Sequence, residues 1–333
     1  MLSPINPREA RFEVLRVAAP ADIPPVSARI FDVALLDMNH GYANVGHDAI
    51  VALVRDASLA LDDELARTDA RVRVLSYAVR DKLMVPDHTS GRHRLYLGTG
   101  GPGHLDPRRN TAEHGAQEIL EDPSWELPLW RLFEAIAADD DAALFGVCHT
   151  FGLLCRWSGV AEAVLRGPAK GGAMSGVGTN VLTPQAIEHP WFAPLAHTPG
   201  HAKVRVLDSR YYDLIPSSRQ FPGGTTPIAF EASHQHDGPG EALTMLEVAR
   251  ESDGSAPRIF GVNSHPEIGS SERVREILER LLASGRITPE VYAQRSTLLP
   301  ILHDVHRDQR LHVGRRVFSD LVARRLSRLA HAA

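Results

Sequence analysis

The feature that most narrows the folds open to this chain is a repeated handover from a short apolar run to a helical pattern. "FDVALLDMN" (31–39) reads as a buried strand, followed by a glycine-containing turn and the helix pattern "DAIVALVRDASLALDDEL". "RVRVLSYAV" (71–79) and "RLYLGTG" (94–100) read as further strands. "WELPLWRLFEAIAADD" then reads as a helix, and "AALFGV" (142–147) as a strand of small and apolar residues feeding another helix. Strands that alternate with helices at this spacing predict a mostly parallel sheet with helices on both faces.

The second half is richer in strands. "AKVRVLDSRYYDLI" (202–215), "TTPIAFEAS" (225–233), "ALTMLEVAR" (242–250) and "APRIFGVNS" (256–264) read as strands of a mixed region that completes the sheet. "SSERVREILERLLASG" (270–285) has apolar residues at 274, 277, 278, 281 and 282, the stripe of an amphipathic helix. Residues 1–28, with five prolines, read as an irregular lead-in. The α/β domain is expected over 29–286 and an Arg-rich helical tail over 287–333. That tail carries apolar residues at 317, 318, 321, 322, 326 and 329, a stripe suited to the body of the protein or to a second subunit. "KGGAMSGVGTNVLTP" (170–184) is too glycine-rich for a core element and is read as a segment lining or covering a site.

Composition limits the partners. A formal net charge of −5 gives no basic field for nucleic acid, and no apolar run approaches the ~20 residues of a membrane span. The polar start of the sequence lacks a signal-peptide core. Two cysteines in 333 residues make no disulfide framework, and on one helix Cys148 and Cys155 stand about 10 Å apart along the axis. A reducing, cytoplasmic setting is expected.

Three stretches carry chemistry. In "DAALFGVCHTFGLLCRW" (141–157) a strand enters a helix through Gly-x-Cys. Such an elbow projects a nucleophile above the carboxyl edge of the sheet, at a helix N-terminus that favours thiolate. The His149 amide then points to where an oxyanion forms. The alternative is a buried structural cysteine at a strand end. In "IFGVNSHPEIGSSERV", His265 and Glu267 flank a proline just after a strand, suited to a base and its orienter, or to a plain surface turn. "RLYLGTGGPGHLDP" satisfies G-x-G-x-x-G formally, but two prolines and the lack of a following helix exclude a dinucleotide site. A glycine turn there serves better as an N–H donor loop, with Gly101 as second oxyanion donor.

Together, TGGPG, then G-V-C-H, then H-P-E resemble the class I (triad) glutamine amidotransferase family over about residues 30–285. The resemblance implies a flavodoxin-like three-layer sandwich, no cofactor, and a Cys-His-Glu triad. Cys148 would be the nucleophile, His265 the base, Glu267 its orienter, and Gly101 with His149 the oxyanion hole. It further implies glutamine hydrolysis through a glutamyl thioester, with ammonia passed to a separate synthetase. The family's elbow reads G-x-C-x-G-x-Q, whereas here Thr150 and Gly152 take the places of the second glycine and the glutamine. Ser209-Arg210-Tyr211 resembles instead the Ser-Arg-Tyr of homoserine O-succinyltransferases, a related Cys-His-Glu family. There the arginine holds an amino-acid carboxylate, a contact bidentate pairing would supply. Ser209, Arg210, Tyr211 and Thr150 are therefore the expected substrate-binding residues. Two alternatives stand beside glutamine hydrolysis: acyl transfer to a small amino acid or alcohol, and a non-catalytic partner protein with a deformed elbow. A homo-oligomer through the C-terminal helices is a further expectation. "HQHD" (234–237), and His303 with His306, are read as ordinary polar surface, not metal ligands.

Overall fold

The computed structural model describes residues 11–110, 120–167, 173–196, 202–218, 220–233, 235–268, 271–285, 287–297, 299–300 and 309–331. Its strands are β1 (Phe12–Val17), β2 (Ile30–Asp37), β3 (Arg71–Ala78), β4 (His93–Gly98), β5 (Ala143–Val147), β6 (Ala161–Leu165), β7 (Met174–Leu182), β8 (Lys203–Arg210), β9 (Tyr212–Pro216), β10 (Thr226–Ala232), β11 (Pro239–Arg250) and β12 (Pro257–Val262). The helices that matter below are α1 (Val45–Ala60), α2 (Asp62–Thr68), α3 (Val79–Lys82), α4 (Glu126–Ala138), α5 (His149–Trp157), α6 (Pro184–Glu188), α7 (Ala193–Ala196), α8 (Ser271–Ala283), α9 (Pro289–Ser296) and α10 (Gln309–His331).

The twelve strands form one sheet, in the order β1-β3-β2-β4-β5-β12-β11-β10-β7-β8, with β9 paired to β11 and β6 to β9. The neighbours from β1 to β12 pair in parallel. Beyond β12 every pairing is antiparallel. The expected mostly parallel sheet is thus a mixed one, parallel through its first six strands and antiparallel through the rest. Alternation of side chains along β2 sorts the core into two layers. Val33 and Leu35 pack with α1, α2 and α10, while Ala34 and Leu36 pack with α4 and α5. Helix α8 adds a satellite cluster through Val274, Ile277, Leu278 and Leu281, the stripe expected from its sequence.

Three further readings are corrected. Residues 1–28 are not irregular throughout, because Phe12–Val17 is a strand whose six residues register one to one with Val72–Tyr77. The glycine-rich stretch contains β7, which pairs on both edges with β8 and β10. "AKVRVLDSRYYDLI" is two strands, broken at Tyr211. The C-terminal stripe packs on the body: Phe318, Leu321, Val322 and Leu326 are buried in the same layer as α1. Around it, Arg324 and Arg328 pair with Glu251 at 2.8 and 2.9 Å. Among the described residues no helix is long and apolar enough to cross a membrane.

Candidate active site

The nucleophile candidate and its base follow adjacent parallel strands. Val147 at the end of β5 registers with Val262 at the end of β12, and the Cys148 amide donates to the Val262 carbonyl at 2.8 Å. Cys148 is one residue past β5 and His265 three past β12, so both rise from the same carboxyl edge of the sheet. The backbone at Cys148 has φ 48°, a left-handed conformation that a residue with a Cβ adopts only under constraint. It is also the N-cap of α5 and makes no side-chain capping bond.

What allows α5 to start so close to the sheet is a row of glycines. Gly98, Gly146 and Gly261 pair side by side on β4, β5 and β12. A Cβ on Gly98 would lie 2.3 Å from Thr150 Cγ2, and one on Gly261 would lie 2.8 Å from Phe151 Cδ2. Thr150 is therefore buried in the glycine trough, with its hydroxyl donating to the Thr99 carbonyl at 2.8 Å. It does not face a substrate, contrary to the sequence reading. The recurring strand endings L-G-T, F-G-V and F-G-V were the available signal for this trough.

Glu267 is fully buried, and its Oε1 accepts from His265 Nδ1 at 2.8 Å. Burial works against a charged imidazole, but the Glu267 carboxylate and the Cys148 thiol, within hydrogen-bonding reach, outweigh it. The His265 pKa is held well above the ordinary histidine range. Gly100 is the glycine that faces the pair, since a Cβ there would lie 3.2 Å from His265 Cε1 and 3.8 Å from Cys148 Sγ. Cys155, by contrast, is buried inside α5, and burial pushes its thiol pKa up.

Gly101 lies one residue further along and turns against β2, where a Cβ would come within 2.1 Å of the Met38 carbonyl oxygen. Its loop is pinned by Arg80, which sequence reasoning missed. The buried guanidinium donates to the carbonyls of Met38 (2.9 Å) and Pro102 (2.7 Å) and forms a two-pronged pair with Glu121. His149 begins α5, and among the described residues its amide has no backbone partner. Its ring is buried beside the Gly101 carbonyl. Burial, with Arg80 and His104 nearby, drives its pKa well below the ordinary range, so the ring is neutral.

The Ser209-Arg210-Tyr211 stretch divides three ways. The Ser209 carbonyl oxygen faces the pair, 3.9 Å from Cys148 Sγ and 3.4 Å from His265 Nε2. Tyr211 is 45% exposed at the break between β8 and β9. Arg210 is buried and paired to Asp208, Asp213 (3.2 Å) and Glu231 (3.0 Å). It is not placed to hold a substrate carboxylate, because the protein's own carboxylates already take its charge. Gly152 is backed by Leu105, whose Cδ1 would lie 2.3 Å from a Cβ there. A glutamine at 152 would have to displace the Leu105 side chain. His234, His303 and His306 fall outside the described residues; nearby, His236 bonds Ser233 and Asp237 pairs with Lys203. No group of three or more His, Cys, Asp or Glu side chains is arranged to hold a metal among the described residues.

A scan against protein-family models finds no match, and no curated protein matches in sequence. Among solved structures the chain is similar to SMU.1228c, at 14% identity and a TM-score of 0.49, over 90% of this chain and 99% of that one. It is similar to a glutamine amido transferase from Methylobacillus flagellatus at 15% identity and a TM-score of 0.48, over 90% and 95%. A Thermoplasma acidophilum protein described as a candidate GMP synthase component follows, at 10% identity and 0.43, over 77% and 96%.

Proposed function

We propose that the chain is a cysteine-dependent amidotransferase-like enzyme that cleaves a carboxamide through a thioester. The observation that carries this reading is the meeting of a thiol on a left-handed elbow with a histidine whose other nitrogen is bonded to a buried carboxylate. In the proposed roles, the Cys148 thiolate attacks the amide carbon and forms the C–S bond. The amides of Gly101 and His149 take the oxyanion. The His265 imidazolium gives its proton to the departing nitrogen as the C–N bond breaks, releasing ammonia. Water then attacks the thioester, its proton passing to His265, and the carboxylic acid leaves as the thiolate re-forms. Glu267 keeps the imidazole oriented and offsets its charge throughout.

Glutamine is the leading substrate through the motif resemblance, with a separate synthetase as acceptor of the ammonia. The side-chain positions that would grip it differ here, since Gly152 is backed by Leu105 and Arg210 is occupied within the protein. The same occupation removes the observation that favoured acyl transfer in the homoserine O-succinyltransferase manner. Ammonia release from L-glutamine by the native chain, abolished in Cys148→Ala, is the expected result. Equal release by both proteins, or none from glutamine or a panel of other carboxamides, would overturn the proposal.

A further inference from the structure

We propose that the first turn of α1, through Gly46 and its cap Asn44, positions the Glu267 carboxylate and thereby sets the proton balance of the Cys148–His265 pair. The inference rests on the triad reading above. Glu267 reaches across from the β12 side and lies against this turn: a Cβ on Gly46 would stand 2.9 Å from Oε1 and 3.9 Å from the carboxyl carbon. Gly46 lies outside the positive-φ residues, so its backbone makes no demand for glycine. An alanine would serve the helix better. The missing side chain leaves room for two oxygens, Glu267 Oε1 and, at 3.0 Å from such a Cβ, the Oδ1 of the capping Asn44.

A chain of buried polar groups holds that glycine in place. Asp37, at the end of β2, accepts from the Asn39 amide at 3.0 Å and from its side chain at 2.7 Å. Asn39 accepts from the Asn44 side chain, and Asn44 Oδ1 accepts from the Gly46 amide at 2.6 Å. Asp37 and Asn39 are almost wholly buried. Buried polar groups that satisfy one another fix one geometry, and here the geometry they fix ends at the carboxylate. The electrostatics agree. Among the described residues, His265 is the cation paired with Glu267, and Glu267 Oε2 has no hydrogen-bond partner. The partial positive charge at the N-terminus of a 16-residue helix therefore offsets the buried carboxylate.

Iodoacetamide alkylation of Cys148 as a function of pH tests this without any substrate, because the thiolate is the reacting form. The native protein supplies the reference midpoint. Glu267→Gln should raise that midpoint, and Gly46→Ala should raise it by about one pH unit, roughly tenfold slower alkylation below it. The double variant G46A/E267D, which retracts the carboxylate by one methylene, should recover part of the shift. A merely structural glycine predicts the opposite: Gly46→Ala folds at least as stably with the native profile. If Gly46→Ala does not fold, Asn44→Ala replaces it and should move the midpoint upward. A raised midpoint in Glu267→Gln with native midpoints in both first-turn variants overturns this inference and leaves the triad standing. A native midpoint in Glu267→Gln overturns both.

Discussion

Gly98, Gly146 and Gly261 matter because of what sits on them. The trough receives Thr150 and Phe151, and through them sets the height of Cys148 above the sheet. Adding a methyl group at Gly98 should therefore cost about 1–3 kcal/mol by overpacking. Thr150→Ala in that background should return part of the loss, and a double-mutant cycle of urea unfolding would show the coupling. Thr150→Ala alone should lower stability while leaving the KM for any substrate unchanged, because its hydroxyl serves the Thr99 carbonyl. The identities of the candidate nucleophile, base and orienter were legible, since the types and order of Cys148, His265 and Glu267 carry chemical meaning. The surroundings of Thr150 and Arg210 were not. Burial against neighbouring strands, and carboxylates at 208, 213 and 231 folding back on one guanidinium, are set by tertiary contacts that no local window contains.

Arg80 and α10 show how whole elements are fixed in place. Arg80 joins the end of β2, the glycine loop after β4 and Glu121 in one unit. Arg80→Met should cost roughly 3–5 kcal/mol, because it strands the Glu121 charge. On the proposed reading it should also lower kcat, through loss of the loop carrying Gly100 and Gly101. Phe318→Ala on α10 removes a side chain packed edge-on to Phe145 of β5, and thermal or urea unfolding should register a loss of about 3–5 kcal/mol. The strands and helices of the parallel half were readable from their apolar runs. Three strands escaped, β1, β6 and β7, the first and last for physical reasons. "FEVLRV" is short and lies among prolines, and β7 is paired along both edges, with Gly176 and Gly178 facing β8 and Leu182 in the core. Periodicity also does not tell an antiparallel partner from a parallel one, so the extent of the antiparallel half was hidden.

The molecule as a whole carries several histidines that folding keeps neutral. Burial lowers His93 to about 4, against the opposing pull of its hydrogen bond to the Asp32 carbonyl, and burial also lowers His104 and His149. The unfolded chain takes up these protons near pH 6.5 while the folded one refuses them, so their stability contribution is full above 6.5 and lost as pH falls toward 4. His265, with its raised value, contributes the opposite way: its stabilisation is full below 6.5 and lost as pH climbs through the folded value. The melting temperature should therefore fall between pH 6.5 and 4. His93→Gln should remove about 3 kcal/mol of that decline, measured as the difference in unfolding free energy across the window.

The strand that completes the candidate site, β12, sits in the middle of the sheet yet comes after eleven others in the chain. During synthesis, the thiol at 148 emerges long before the imidazole that would activate it. Until residues 257–267 leave the ribosome, β5 has only β4 as a parallel neighbour and the elbow lacks the carbonyl of Val262 that anchors it. On the proposed reading, a chain that has not yet reached β12 holds its thiol without its base, because the wiring of the sheet brings the two together only when that strand inserts.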